Sequence, residues 1–254
     1  MNDTKKLKIG IVGTGNIGKT LTRKLAAAGY DVKVANSRGP ETIDAEALAP
    51  NAKAVTAAEA VQGVDVVILS TPPTALPSIA LLIAKLPAET VIMDTSNYHP
   101  FRDGKIAAID AGQVESLWVV EQLGRPIVKS WNSITADSFV NKGRAAGSSG
   151  RIALPVAADR ERDRTLGMQL VEDTGFDAVD AGTLAESWRQ QPGAPSYCTD
   201  LTREELPAAL AAAERQRLTK RRDLATAVFL ERCDLSKEVP PADLVLRVHR
   251  TLFM

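Results

Sequence analysis

The sequence predicts an α/β protein built on a doubly wound parallel sheet, and three observations indicate this fold class. Short apolar strands alternate with amphipathic helices over the first 140 residues, as repeated strand and helix units do. The run from Val64 to Leu69 is apolar except for Asp65, which is typical of a central parallel strand covered on both faces. The first apolar strand, from Ile9, passes directly into a glycine turn and a helical pattern. Such a sheet binds its ligand in a crevice at the carboxyl ends of the strands.

Local signals mark the elements of this sheet in order. A helix after the glycine turn is expected to end at Gly29, because glycine tolerates the left-handed conformation of a helix C-terminus. Thr56 is a helix N-cap residue type, and Pro72 and Pro73 stop the strand that ends at Leu69. The predicted strands cover residues 9–12, 31–35, 53–55, 64–69, 90–93 and 126–130. The predicted helices cover 16–28, 41–48, 56–61, 75–86, 114–123 and a short segment toward 140 that Thr135 or Asp137 would cap.

A segment rich in Gly, Ala and Ser, residues 141–151, is the one plausible internal boundary. Beyond it, a strand, a helix and a strand are predicted over 151–157, 159–173 and 176–179, and we expect this βαβ unit to extend the same sheet. A first domain would then cover 1–182. Residues 183–254 would form a loop and a helical extension, with one long helix over 204–232 and a last helix opened by Pro240 and Pro241. The extension packs either on the first domain or on a second subunit as a homodimer.

Three glycines at 13, 15 and 18 give the GxGxxG spacing between the first strand and the first helix. Gly13 permits a tight turn, Gly15 lets the backbone approach a pyrophosphate, and Gly18 lets the helix lie close to the strand. The free N–H groups at the start of that helix would hold the anion, with Thr14, Asn16 and Ile17 in the turn. Because the flanking strands and helix are all in place, the motif predicts a dinucleotide-binding Rossmann sheet.

The end of the second strand indicates which dinucleotide is bound. NAD-preferring sites usually carry Asp or Glu there to bind the ribose 2′-hydroxyl, whereas this chain reads Asn36-Ser37-Arg38. Asn36 carries no charge that would repel a 2′-phosphate, Ser37 can donate a hydrogen bond to it, and Arg38 presents a planar fork of donors. The sequence therefore predicts NADP(H) over NAD(H). The alternative is that Arg38 is an ordinary solvated loop arginine.

Composition argues against several classes of function. The 31 basic and 31 acidic residues balance, so no global field recruits nucleic acid or an anionic membrane. No apolar run is long enough to span a membrane, and residues 1–7 lack a signal-peptide core. Cys198 and Cys233 form no metal or disulfide pattern, and His99 and His249 alone give little support to zinc chemistry or a serine hydrolase. We expect a cytoplasmic protein without a metal site.

Four strand ends should meet beside the nicotinamide, at residues 14–17, 70–73, 94–97 and 130–133. Thr71 and Pro72 would wall the nicotinamide ribose, although a loop whose prolines only stop the strand fits them equally. Asn97 and Asn132 are candidate positioning residues, because amides orient a carboxamide without adding charge. Proton donors are scarce, and His99 is either a ligand contact or a loop histidine. Reducing a ketone or imine needs such a donor, whereas hydride transfer to a flavin-like ring depends mainly on positioning, so the crevice favours the second.

Five stretches carry a family resemblance, residues 9–18, 35–40, 94–97, 127–132 and 175–182. Together they resemble the coenzyme F420-dependent NADP oxidoreductases and their relatives, which include the cytosolic domain of six-transmembrane metalloreductases. The resemblance implies NADP(H) binding, with Ser37 and Arg38 at the 2′-phosphate. It also implies hydride transfer to a deazaflavin (coenzyme F420) or flavin stacked on the nicotinamide, with Asn97 and Asn132 near the reacting rings.

The chain departs from this group in two places, at Trp131, where a Phe or smaller residue is usual, and in its longer tail after Trp188. Both fall where the second substrate would lie, so the resemblance does not fix the acceptor. The tail residues form either an aromatic lid over the acceptor pocket or packing beneath the long helix. They are Trp188, Pro192, Pro195, Tyr197 and Cys198. The basic run from Arg215 to Arg222 is expected to be a solvated helical face, or else a phosphate contact across a subunit boundary.

Three functions fit these residues. The leading one is an NADP(H)-dependent oxidoreductase that passes hydride to a small-molecule flavin or deazaflavin acceptor. A β-hydroxyacid dehydrogenase or imine reductase shares the glycine motif, but those families place a catalytic Lys or Asp on a long helix just past the sheet. Here residues 143–150 lead into another strand instead. The third is a non-catalytic protein that senses NADP(H).

Overall fold

The computed structural model describes residues 7–48, 51–235, 237 and 239–254. Its centre is one sheet in the spatial order β3-β2-β1-β4-β5-β6-β7-β8. The strands are β1 (Lys8–Val12), β2 (Asp31–Ala35), β3 (Lys53–Ala54), β4 (Val66–Leu69), β5 (Val91–Asp94), β6 (Val128–Lys129), β7 (Ala153–Ala158) and β8 (Asp177–Asp180). The order reverses between β1 and β4, so the sheet has its switch point there, beside the glycine turn.

Helices connect these strands and form the tail. They are α1 (Asn16–Ala27), α2 (Ala45–Leu48), α3 (Ala57–Val61), α4 (Leu76–Ile83), α5 (Pro100–Asp103), α6 (Ala107–Asp110), α7 (Glu115–Leu123), α8 (Ala136–Asn141), α9 (Glu161–Asp173), α10 (Leu206–Ala211), α11 (Leu218–Arg232) and α12 (Ala242–Phe253). Short 3₁₀ segments cover Pro40–Thr42, Pro73–Ala75, Leu184–Gln190 and Arg215–Arg217. The helix predicted over 41–48 is in fact a 3₁₀ turn followed by α2, and α5 and α6 were not predicted.

The predicted fold class is confirmed, with one difference in strand direction. Strands β1 to β6 run parallel to one another, and β7 runs parallel to β8. The β7-α9-β8 unit extends the sheet as predicted, but β7 pairs with β6 in the antiparallel direction. Strand direction is decided by how the chain returns after α8, and the apolar pattern of a strand carries no signal of it.

Apolar side chains form a separate core on each face of the sheet, as a doubly wound arrangement requires. One core packs α1, α2, α8 and α9 against the sheet, with Leu21, Leu25 and Phe139 among its buried residues. The other packs α3, α4 and α7 against the opposite face, around Ile83 and Trp118. Neither face of the central strands meets water, which explains the nearly continuous apolar run before residue 70.

Helix ends follow the residue types that the sequence places there. Thr56 caps α3 with a capping box, in which its hydroxyl accepts from Glu59 N and the Glu59 carboxylate accepts from Thr56 N at 2.9 Å. Thr135, not Asp137, caps α8 by accepting from Ser138 N at 3.1 Å. Gly29 follows α1 with φ of +93°, the left-handed conformation predicted for it.

The long helix predicted over 204–232 is wrong, because the chain breaks after Ala211 and resumes as a helix at Leu218. The two helices, α10 and α11, pack in different hydrophobic cores. Leu206 and Leu210 of α10 pack beside β7, whereas Leu218 and Ala225 of α11 pack with α12 and the loop before α10. A straight helix of that length would extend roughly 43 Å and could not reach both. Among the described residues, every helix is too short or too polar to cross a membrane.

Candidate functional site

A cleft of about 580 Å³ opens at the carboxyl ends of the central strands. Its walls are the start of α1, the loops after β4, β5 and β6, the loop before α10, and the helices α11 and α12. The first four are the strand ends that the sequence predicts to converge. The tail therefore covers the crevice of its own chain, and the predicted division at residue 182 separates two parts that share one cavity.

The glycine turn has a physical reason at each of its three positions. A Cβ at Gly13 would lie 2.2 Å from the Ser70 carbonyl oxygen, and the residue has φ of +112°. A Cβ at Gly18 would lie 2.0 Å from the Gly13 carbonyl oxygen, so only glycine lets α1 approach the turn so closely. Around Gly15, by contrast, a Cβ would meet nothing within 4 Å. The open space beside Gly15 lies in the cleft, where a ligand can approach the backbone.

The N-terminus of α1 faces this space without a side-chain cap. Gly15 is its N-cap residue, no side chain among the described residues caps its N–H groups, and its first turn contains no acidic residue. Gly15, Asn16 and Ile17 line the cleft, whereas Gly13 and Thr14 form the turn behind them. Unpaired N–H groups at the positive end of a helix dipole bind anions, so the turn fits the pyrophosphate that the motif predicts.

The loop after β2 lies outside the cleft wall and beside the glycine turn, since β2 pairs with β1. Asn36 shapes this loop, because its Nδ2 donates to Thr42 Oγ1 at 2.8 Å and its Oδ1 accepts from Arg38 N at 2.9 Å. Ser37 and Arg38 are exposed. The amide of Asn36 therefore orders the loop, and the side chains left to meet a 2′-phosphate are Ser37 and Arg38.

Two carboxylates, those of Glu41 and Asp44, follow Arg38 within six residues of the chain. A Cβ on Gly39 would lie 2.4 Å from Glu41 Oε1, so the Glu41 carboxylate folds over the loop backbone. Asp44 pairs with Lys19 at 2.7 Å, and the Lys19 ammonium, with a smaller contribution from Arg38, lowers the pKa of Asp44. Among the described residues, neither carboxylate forms an ion pair with Arg38, whose field adds only slightly to that of Lys19 at Asp44.

Thr71 and Pro72 line the cleft directly after β4, as predicted. The Thr71 hydroxyl is buried and has no hydrogen-bond partner among the described residues. Buried polar groups are almost always paired, so an orphan in a cavity wall indicates a missing partner. A polar group of a bound ligand, such as a ribose hydroxyl, would supply it.

Asn97 and Asn132 are brought together, but mainly to bind each other. Asn97 Nδ2 donates to the Asn132 carbonyl oxygen at 2.7 Å, and Asn132 Nδ2 donates to Asn97 Oδ1 at 3.1 Å. Asn132 also donates to the Gln190 carbonyl oxygen and accepts from Gln190 Nε2. With its donors and acceptor used, Asn132 is a positioning residue, whereas Asn97 keeps one N–H and one lone pair for a ligand.

A buried ion pair supports these two loops from beneath. Lys129 Nζ donates to Asp94 Oδ2 at 2.6 Å and to the Ser96 carbonyl oxygen, and both charged side chains are fully buried. Asp94 also accepts from the Ser96 hydroxyl at 3.0 Å. The pair joins the ends of β5 and β6 and fixes the loop that carries Asn97 against the loop that carries Asn132.

His99 and Tyr197 form a pair inside the cleft that the sequence analysis missed. His99 Nε2 lies 3.3 Å from Tyr197 Oη, and both residues line the cavity. Burial lowers the pKa of His99 to about 3 and raises that of Tyr197 well above its usual value. At neutral pH the imidazole is therefore uncharged and the phenol keeps its proton. The cleft contains a proton donor after all, and only the tail loop brings it there.

The basic face predicted for residues 215–222 is wrong at two of its five positions. Arg221 and Arg222 are only 9% and 7% exposed, whereas Arg215, Arg217 and Lys220 are exposed. Arg222 shares the inner face of α11 with Leu218, Ala225 and Phe229, at spacings of three, four and seven residues, and it lines the cleft. This spacing can be read from the sequence, but the run of basic residues favoured the interpretation as a solvated face.

The tail residues considered either as a lid over the pocket or as packing beneath the long helix do both as a group. Tyr197 and Cys198 line the cleft and also pack with Leu218 and Phe253 in the core beneath α11. Trp188 does not line it and stacks on the Arg189 guanidinium, 4.3 Å from the ring centroid. Burial raises the pKa of the Cys198 thiol well above its usual value, so this cysteine is an apolar wall and not a nucleophile. Pro192 also lines the cavity, whereas Pro195 does not.

Trp131 lies at the cleft but points into the core. It is 1% exposed, its backbone has φ of +55°, and its indole Nε1 donates to Thr174 Oγ1 at 3.2 Å. The large ring therefore fills the space between β6 and α9, and what it offers the cleft is mainly backbone. Its effect on the acceptor is to fix the loop that continues to Asn132.

The comparisons with known proteins match different parts of the chain. Residues 8–98 match the family described as NADP oxidoreductase, coenzyme F420-dependent. The protein YjhV of Escherichia coli K12 is 57% identical over 54 residues, which are 21% of this chain and 39% of YjhV. The hypothetical protein SMa0349 of Sinorhizobium meliloti superposes with a TM-score of 0.66 at 27% identity, over 80% of this chain and 98% of that one. A candidate F420-dependent NADP reductase of Arthrobacter sp. FB24 gives 0.54 at 22% identity, over 71% and 87%.

The family match covers the glycine turn, the loop after β2 and the loops after β4 and β5. The resemblance stated from the sequence is therefore confirmed for that part of the chain. The aromatic tail and Arg222 lie beyond the matched residues. Over residues 8–98 the chain is therefore similar in sequence to the family described as NADP oxidoreductase, coenzyme F420-dependent.

Proposed function

We propose that the protein is an NADP(H)-dependent oxidoreductase that exchanges hydride between the nicotinamide and a flavin-like or deazaflavin ring, such as coenzyme F420. One observation carries this proposal. A single cavity runs from the uncapped start of α1, past Thr71 and Asn97, to an apolar wall that includes Phe229 and Phe253. A dinucleotide and a second ring compound can therefore occupy one continuous cleft.

The residues present fit NADP(H) at three points. Open space beside Gly15 and the uncapped α1 N-terminus suit the pyrophosphate, and Ser37 and Arg38 suit the 2′-phosphate. The unpaired Thr71 hydroxyl suits a polar group of the nicotinamide ribose. When bound, NADPH would supply the hydride.

Rigid positioning is the main contribution of this chain to such a transfer. Hydride passes between two rings only when they are held at short distance, and correct placement supplies most of the rate effect. The Asn97, Asn132 and Gln190 bonds and the buried Lys129 and Asp94 pair fix the loops that line the middle of the cleft. The second ring would stack between these loops and the apolar tail.

The test is a survey of acceptors under anaerobic conditions. The protein is mixed with NADPH and, separately, with FMN, FAD, coenzyme F420 or a ferric chelate, and oxidation is followed at the nicotinamide absorbance band. We expect turnover with at least one ring acceptor and slower turnover with NADH as donor. Tight NADPH binding without turnover of any acceptor would instead identify a cofactor sensor and contradict the proposal.

A second candidate function is favoured by the Tyr197 and His99 pair. Reduction of a carbonyl or imine needs a proton on oxygen or nitrogen as hydride reaches carbon. The Tyr197 hydroxyl lies in the cleft, carries its proton at neutral pH and lies 3.3 Å from His99 Nε2, which orients it. Turnover with keto acids or imines but not with ring acceptors would identify this activity.

We also propose that the protein acts as a cytoplasmic homodimer formed through its C-terminal helices, without a nucleic-acid or membrane partner. Val248 and Leu252 of α12 pack against the tail core of the same chain and are not available. Leu224 and Val228 of α11, four residues apart, are 45% and 38% exposed and form the surface for a second copy. Sedimentation of the protein and of Leu224→Glu tests this. A monomer in both cases contradicts it.

A further inference from the structure

We propose that the acceptor end of the cleft binds an anionic group of the second substrate, a carboxylate or a phosphate, and that the Arg222 guanidinium is its ligand. The inference deepens the proposed function and rests on it in one respect, that both substrates share this cleft. It gives the chemical class of the acceptor. Neither the family match nor the glycine motif indicates this class, since Arg222 lies outside residues 8–98.

The hydrogen bonds of Arg222 leave the outer part of its guanidinium unused. Nε donates to Asp223 Oδ1 at 2.8 Å, and the guanidinium carbon lies 5.3 Å from the centroid of the Tyr98 ring. Within the described part of the chain, Nη1 and Nη2 have no hydrogen-bond partner, and neither is fully buried. Arg221 differs, because its Nε and Nη1 are sealed and it does not line the cleft. Arg222 lines the cleft and also a smaller cavity, and its two free donors have the parallel geometry that carboxylate and phosphate oxygens accept.

The charges around the cleft favour an anion. Of the described residues that line it, two are arginines and none is Asp or Glu. Asp103 binds Arg102 through both Nε and Nη2, so the charge of Arg102 is largely compensated. Among the described residues, Arg222 has no such bidentate partner, because Asp223 is 57% exposed and contacts Nε only.

Two further carboxylates, Asp110 and Glu115, line the smaller cavity that Arg222 also reaches, and Asp110 accepts from the Tyr98 hydroxyl. Burial raises the pKa of Glu115 to about 7, so its negative charge is only partly present at neutral pH. Burial also lowers the pKa of His99 and of His249, so both imidazoles are uncharged. The described walls of the cleft itself therefore carry arginine side chains and no carboxylate, in surroundings that are otherwise largely apolar, where a charged hydrogen bond is strong.

Position separates this arginine from the pyrophosphate site. Arg222 packs on Tyr98, in the loop after β5, whereas the pyrophosphate site follows β1. Strand β5 is two strands away from β1 in the sheet, a separation of about 10 Å at the spacing of paired strands. An anion bound by Arg222 therefore belongs to a different group from the one bound at the glycine turn.

The experiment compares FMN with riboflavin, which differ by one phosphate. Values of kcat/KM for NADPH oxidation are measured for the wild type, Arg222→Gln, Arg222→Lys and Lys220→Gln. Lys220 is the matched control, because it loses the same charge from an exposed position of the same helix. We expect the wild type to prefer FMN by on the order of tenfold or more, the value of a hydrogen-bonded charge pair. Arg222→Gln should reduce this ratio toward one, Arg222→Lys should keep part of it, and Lys220→Gln should keep all of it.

Binding measurements keep the inference testable if neither flavin is turned over. Titration of the NADP⁺ complex with FMN and with riboflavin then gives two dissociation constants, whose ratio measures the preference for FMN. A failure of turnover alone contradicts the proposed function and not the anion site. Thermal unfolding of each variant shows whether it is folded. The anion site is overturned if FMN binds no more tightly than riboflavin, or if the preference survives in a folded Arg222→Gln. It is also overturned if that variant loses NADPH affinity as much as it loses FMN affinity.

Discussion

The Tyr197 hydroxyl lies 3.3 Å from His99 Nε2 within the cleft, although 98 residues separate the two in the sequence. Tyr197→Phe removes the phenolic proton and leaves the ring that packs in the tail core. If the cleft reduces a carbonyl or imine, we expect kcat to fall by roughly 10² or more, the usual contribution of a general acid. If the acceptor is a flavin-like ring, the loss should be only a few-fold. The pH profile of kcat should also change in the first case alone.

Arg38 and Glu41 allow a matched test of cofactor choice. Arg38→Ala should weaken NADPH binding by about tenfold to a hundredfold and leave NADH binding nearly unchanged, because only NADPH carries the 2′-phosphate. Glu41→Gln should tighten NADPH binding by a few-fold, since the Glu41 carboxylate lies over the same loop. Calorimetry with both dinucleotides measures each effect. Equal losses for NADPH and NADH in Arg38→Ala would show that this arginine does not read the phosphate.

Two glycines of one motif should respond differently to alanine. Gly18→Ala places a Cβ 2.0 Å from the Gly13 carbonyl oxygen, and we expect it to lower the free energy of unfolding by about 3 kcal/mol or more. Gly15→Ala meets no atom within 4 Å and has φ of −66°, so its cost should be below about 1 kcal/mol. Gly15→Ala should nevertheless weaken NADPH binding by about tenfold or more, because its methyl group occupies the approach to the backbone. Urea unfolding and calorimetry separate the two effects, and unaltered NADPH affinity in Gly15→Ala would mean that the pyrophosphate lies elsewhere.

Thr71 should give a stability gain together with a binding loss. Its hydroxyl is buried and unpaired, so Thr71→Val replaces an unsatisfied donor by a methyl group of similar size. We expect the free energy of unfolding to rise by about 1 kcal/mol in the absence of cofactor, and NADPH affinity to fall. Ser78→Ala, an exposed hydroxyl outside the cleft, serves as the control. Unchanged NADPH affinity in Thr71→Val would exclude a ligand contact for this hydroxyl.

Much of the sheet was predictable because its signals are local. The glycine turn, the Thr56 capping box and the apolar run before Ser70 each depend on neighbours within a few residues, and the structure has all three. The direction of β7 was not predictable, because it depends on which edge of the sheet the chain reaches after α8. The break between α10 and α11 has no glycine or proline to mark it, and it follows from two separate cores.

The same distinction between local and long-range features applies to the residues of the candidate site. Gly15 and Thr71 lie beside strand ends, so their places in the cleft wall could be predicted from the sequence. The Tyr197 and His99 pair and the inward position of Arg222 exist only once the tail has folded over the sheet. Asn132 was identified as a ligand-orienting amide, but its hydrogen-bond partners show that it holds Asn97 and Gln190 instead.

His249 makes the stability of the tail core depend on pH. Its ring stacks on Phe253 at 4.6 Å between centroids, and burial lowers its pKa to about 4 from an ordinary value of 6.5. Above pH 6.5 the histidine is neutral in the folded and unfolded chain, so its contribution to stability is fully present. Between pH 6.5 and about 4 the unfolded chain takes up a proton that the folded protein does not, so this contribution is lost as pH falls, by at most about 1.4 kcal/mol per pH unit.

His249→Phe should therefore be acid-resistant relative to the wild type. Phenylalanine fills the aromatic site between Tyr197 and Phe229 and gives up only the 3.4 Å contact of Nδ1 with the Cys198 carbonyl oxygen. Urea unfolding of both proteins at pH 7.5 and pH 4.5 gives the measurement. The difference in free energy of unfolding should move in favour of the variant by about 2 kcal/mol at the lower pH. Because the raised pKa of Glu115 and the lowered pKa of His99 affect both proteins alike, they cancel, and a difference that does not change with pH would show that His249 titrates normally in the folded protein.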